Sequence, residues 1–120
     1  MPLVIAIAIA YFRFMKISEK LHSYHVMLSE MIYTGPESLE KIKTIAEESV
    51  YAITFRVVGN KILDELAQLC IDVFIGDINM ITNMINYDIH EAKEGDFYDA
   101  KSFLLNDLKG FALVINDLGY

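Results

Sequence analysis

The sequence predicts an all-α fold, a compact antiparallel bundle of four or five helices. Three observations carry that reading. Apolar side chains recur at steps of three and four along most of the chain, the period that places them on one face of a helix. Stop signals at Thr34-Gly35-Pro36, Gly59-Asn60, Gly76-Asp77 and Glu94-Gly95-Asp96 divide the chain at short intervals, so successive helices must fold back on one another. Strand-like alternation is confined to residues 3–12 and 50–58.

A chain of 120 residues can build one core but not two. Residues 1–120 therefore read as a single domain, with an apolar segment at 2–15 and helices at about 16–33, 37–58, 60–75, 77–93 and 97–118. In the first segment Ile5, Ile7 and Ile9 alternate with Ala6, Ala8 and Ala10. The alternation leaves a short N-terminal strand as the alternative to a buried terminal helix. Ten apolar residues are too few to span a bilayer, and no basic region precedes them.

The next helix carries Ile17, Leu21, Tyr24, Leu28 and Met31 on one face, with Lys16, Glu19, Lys20 and Ser23 outside it. Pro36 suits the first position of the following helix, and Glu37 and Glu40 suit its dipole. Leu39, Ile42, Ala46, Ser49, Ile53 and Val57 continue there at helical spacing, which favours helix over strand for residues 50–58. Ile62, Leu66, Leu69 or Cys70, and Val73 outline another helix, broken or bent at Gly76-Asp77. Two stripes close the chain: Ile78, Ile81, Ile85, Ile89 and Ala92, then Phe97, Ala100, Leu104, Leu108, Phe111, Ile115 and Leu118, widened by Leu105, Ala112 and Val114. Asp96 is placed to cap the last helix, and Gly119 to end it.

Composition narrows the function classes. Seventeen acidic against ten basic residues give a net charge of -7, which repels phosphate backbones and excludes nucleic acid as a partner. Hydrophobic residues make up 54% and mean hydropathy is +0.34, an apolar excess that predicts a subunit interface or, as the alternative, membrane contact. The single cysteine, Cys70, sits in an apolar run and forms no internal bridge, consistent with a reducing, cytoplasmic setting; a peripheral membrane location is the alternative.

Two constellations could carry metal chemistry. Glu19 and His22 form an E-x-x-H, the spacing that puts a carboxylate and an imidazole on one helical face, but only one copy is present. His22 and His25 are three residues apart and could share a zinc with a third ligand, but neither Cys70 nor His90 offers an obvious complement. Glu47-Glu48, followed by Asp64-Glu65-Leu66-Ala67-Gln68, resembles the metal-binding helices of nucleotide pyrophosphohydrolases of the MazG kind. Those enzymes hold Mg²⁺ through EExxE on one helix and ExxD on the next. Tyr51 stands where the third Glu would be and Gln68 where the Asp would be, which removes carboxylates that a hard cation needs. The resemblance implies a metal-dependent hydrolase using Glu47, Glu48 and Glu65.

The leading expectation is a non-enzymatic protein-interaction or self-assembly module without a cofactor. It is expected to be a homo-oligomer that also accepts an amphipathic segment of another protein. Ile5, Ile7, Ile9 and the adaptable Met27, Met31, Met80 and Met84 are its expected interface.

Overall fold

The computed structural model describes residues 15–54, 61–87 and 93–120. Four helices make up the fold: α1 (Ile17–Ser29), α2 (Glu37–Thr54), α3 (Lys61–Asn86) and α4 (Lys93–Asp117). No strand occurs among the described residues, so the all-α architecture holds. The expectations placed on Ile5, Ile7, Ile9, Val57, Ile89 and Ala92 lie outside the described residues, as does the side chain of Ile62.

α1 packs most closely on α4, and α2 on α3. The direction of α4 is fixed at both ends of α1. The Ser18 amide donates to the Tyr120 carbonyl at 3.2 Å, while Lys101 Nζ donates to the carbonyls of Ser29 at 3.1 Å and Met31 at 2.7 Å. Phe74 meets Phe111 edge-on at 5.4 Å, and Lys93 reaches the carbonyls of Met84 and Ile85, so α3 and α4 are antiparallel too.

The two lysines solve one problem shared by two helices. No helix has a basic residue in its own last turn, so its C-terminal carbonyls would face the core region without a compensating charge. Lys93 and Lys101, a little over two turns apart on α4, supply those donors across the bundle to α3 and α1. α4 ends on its own terms. The Gly119 amide bonds Asn116 O at 2.9 Å, the Tyr120 amide bonds Ile115 O at 3.1 Å, and Gly119 takes φ +89°, the Schellman arrangement that favours glycine.

The stripes on α1 and α2 match the sequence pattern. Ile17, Leu21, Tyr24 and Leu28 are buried on α1, and Leu39, Ile42, Ala46, Ser49 and Ile53 on α2. Ser49 tolerates burial because its hydroxyl donates to Ile45 O at 2.8 Å. Residues 50–54 are helical, which settles the described part of the ambiguous stretch. α1 stops at Ser29, short of the expected residue 33, because the chain turns to lay Met31 and Tyr33 on the core, with the Tyr33 ring 5.7 Å from that of Phe97. Gly35 then takes φ +139°, where a side chain would be strained, and Ser38 accepts the Thr34 amide at 2.9 Å as α2 begins.

α3 corrects the expected boundaries. Gly76-Asp77 neither ends nor divides it, and the helices expected at 60–75 and 77–93 are one helix of 26 residues. Gly76 costs about 1 kcal/mol relative to Ala in a helix interior. Phe74 and Ile81, both fully buried, anchor the backbone on either side and outweigh that cost. The buried register is also one residue later than expected in the first half. Leu63, Ala67, Cys70 and Phe74 face inward, Leu66 and Val73 are half-buried, and Leu69 is exposed.

Glu94-Gly95-Asp96 is likewise no break. It forms the first turn of α4, where Glu94 and Asp96 complement the dipole, so Asp96 is not the cap. Phe97, Ala100, Leu104, Leu108 and Ile115 are buried as the spacing predicts. Val114 and Leu118 are exposed: Val114 lies off the inward stripe beside the buried Ile115, and Leu118 lies beyond the last residue of α4.

Candidate functional site

A cleft of about 620 Å³ opens between α1 and α4. Successive turns of α1 supply Ser18, Glu19, His22 and His25, and successive turns of α4 supply Lys109 and Asn116. Met15, Ala112 and Leu113 form its apolar walls. The antiparallel pairing of the two helices brings these residues together.

Glu19 and His22 thus lie at one site, as the E-x-x-H spacing requires, but Glu19 has a structural task. Its Oε2 accepts the Lys16 amide at 3.2 Å and so ties down the start of α1. The His22 and His25 rings are nearly parallel, with centroids 6.3 Å apart. Burial lowers the pKa of His25 from its usual value, and the charges of His22 and Lys109 add to that effect, so its neutral form is favoured.

The carboxylates of the second constellation do not converge. Glu47, Glu48 and Glu65 are all exposed, as is Tyr51. Glu48 lies close enough to Tyr24 of α1 for its charge to raise that phenol's pKa, second to the effect of burial. Gln68 is engaged with Asp72, donating from Nε2 at 2.8 Å. Among the described residues no three His, Cys, Asp or Glu side chains gather closely enough to hold a metal ion.

Of the methionines expected at an interface, Met31, Met80 and Met84 pack against the core, and Met27 is exposed. Exposed large hydrophobics concentrate on the α1–α4 pair, with Val26, Met27, Tyr98, Phe103, Leu113, Val114 and Leu118, whereas α2 exposes only Tyr51 among its described residues. No described helix is long and apolar enough to cross a membrane.

A second titratable cluster joins α3 to α4. Burial, then a hydrogen bond to Asp107 and the charge of Asp107, push Asp77 up to about 8, and its Oδ2 has no partner among the described residues. A carboxyl with a raised folded pKa contributes stability that is complete below its unfolded pKa of 3.8 and is lost as pH rises towards 8. Asp77→Asn copies the protonated form. It is expected to raise the thermal midpoint at pH 7.5 and to flatten the pH dependence between 4 and 8; a lowered midpoint at pH 7.5 would contradict the assignment.

Sequence spacing marked Glu19, His22 and His25 but missed Ser18, Lys109 and Asn116. On α4 the positions 109, 112, 113 and 116 do repeat at helical steps, yet only the tertiary pairing sets them opposite the histidines. The chain matches no protein-family model, no curated protein and no solved structure.

Proposed function

We propose that the protein acts without catalysis, by associating with a second copy of itself through the outer face of α1 and α4. One observation carries the reading: Phe103, 55% exposed, and Val114 lie on a strip of α4 that also includes Asn106 and Gly110. The steps of three and four make this a continuous stripe. Between Asp99 and Asp117 the only charge at an exposed position of α4 is Lys109. On a chain of net charge -7, a stretch of helix whose exposed positions between Asp99 and Asp117 carry no carboxylate lets two copies approach with less repulsion. Gly110 has nothing within 4 Å of the position its Cβ would take, so a partner helix can come close there.

Met27 and Val26, exposed on α1, and Ile5, Ile7 and Ile9 complete the proposed interface. Phe103 and Val114 are 55% and 46% exposed, so covering them in an interface contributes about half of the roughly 1.5 to 3 kcal/mol that full burial of such a side chain is worth. Cysteine cross-linking tests the geometry. The buried Cys70 thiol, pushed up to about 11 by burial, reacts slowly, so an introduced surface thiol dominates. Val114→Cys is expected to give covalent dimers with a short bismaleimide, and Glu47→Cys on α2 is not. Equal yields from the two variants would count against this face.

A further inference from the structure

The α1–α4 cleft is a distinct feature beside that strip, and its chemistry is mixed. Its volume of about 620 Å³ lies within the range of small-molecule sites, about 300 to 1,000 Å³. Met15, Ala112 and Leu113 line it with apolar surface, and polar groups from both helices converge on it. Ser18, another lining residue, is only 5% exposed, and its hydroxyl has no hydrogen-bond partner among the described residues. Buried hydroxyls are ordinarily paired, so this one is an unmet polar group in the wall of the cleft, covered by its neighbours.

The charges decide what kind of acceptor fits. Lys109 brings a full positive charge to the cleft, and Asn116 an amide that can donate. Glu19 is the one carboxylate in the lining, and it already accepts the Lys16 amide. His22 and His25 add ring N–H donors. Lys109 is the one full positive charge in the lining, and the one carboxylate there is held at the start of α1, in a chain whose net charge is -7.

We propose that this cleft binds a small organic anion with an apolar body, of the medium-chain monocarboxylate class. The carboxylate pairs with Lys109, with Asn116 as a neutral donor, and the hydrocarbon lies along Met15, Ala112 and Leu113. Phe103 and Val114, which carry the self-association reading, do not line the cleft, so the two proposals can be tested separately.

Octanoate is the probe, titrated into the isotopically labelled full-length chain while the imidazole resonances of His22 and His25 are followed by NMR. A saturable shift of both rings is expected. Lys109→Met, at an exposed position, is expected to keep the helical circular-dichroism spectrum and to weaken binding by about tenfold or more. Octanol should bind more weakly than octanoate, for want of the charge, and acetate more weakly, for want of the chain. The proposal is overturned by the absence of a saturable shift, by octanol or acetate binding as tightly as octanoate, or by undiminished binding to Lys109→Met. Replacing Phe103 and Val114 together by lysine changes no residue of the cleft lining, so an octanoate titration of that double variant separates this result from the fate of the dimer.

Discussion

Phe74→Ala is expected to destabilise the protein by about 3 to 5 kcal/mol, the range for truncating a buried aromatic ring. Phe74 is fully buried at the middle of α3, and its ring meets Phe111 edge-on, so truncation opens a cavity and removes an aromatic pair across the α3–α4 contact. Leu69→Ala, on the exposed side of the same helix, should change stability by less than about 0.5 kcal/mol. Urea unfolding of the two variants reads the buried register of α3 directly. A large loss at Leu69 with a small one at Phe74 would mean that α3 is rotated from the orientation described.

Lys93→Met should cost roughly 2 to 4 kcal/mol. The residue is 5% exposed, and its ammonium donates to the Met84 and Ile85 carbonyls at the end of α3. Hydrogen bonds to a charged group contribute about 1.5 to 3 kcal/mol each and do not add fully when they share one donor. Methionine fills much of the same volume, so the loss reports the donor and charge more than packing. Lys101→Met removes the corresponding bonds to α1 from a half-buried position and should cost less. Chemical denaturation of both variants supplies the comparison. An unaffected Lys93→Met protein would show that the end of α3 does not depend on the lysine.

These two substitutions also show why some of the fold was legible and some was not. Most of the buried face of α2 could be read, because its apolar positions form one stripe between charged neighbours such as Lys41, Lys43, Glu47 and Glu48; Ile45 and Ala52, buried beside that stripe, were not part of it. In α3 the run from Ile62 to Ile75 is apolar nearly all round, with Leu66, Leu69, Ile71 and Val73 beside the truly buried residues. Periodicity cannot choose a face there; packing against α2 and α4 chooses it. Gly76 read as a break for a related reason: local propensity is worth about 1 kcal/mol, less than the burial of Phe74 and Ile81 on its two sides.

The cleft was half legible. A single helix carries Glu19, His22 and His25, so their spacing was visible in the sequence. Lys109 and Asn116 join them only through the antiparallel pairing of helices some ninety residues apart. The role of Lys93 was hidden in the same way, since a lysine in a first helical turn gives no sign that it serves the end of another helix.

Self-association through the outer face of α4 is tested most directly by sedimentation equilibrium on the full-length chain over micromolar concentrations in detergent-free buffer. The wild type should sediment as a dimer or larger. Phe103→Lys combined with Val114→Lys should sediment as a monomer with an unchanged helical spectrum, because both side chains are exposed in the single chain and replacing them leaves its core untouched. A wild type that is monomeric across the whole range, or a doubly substituted chain that associates as strongly as the wild type, would contradict the account.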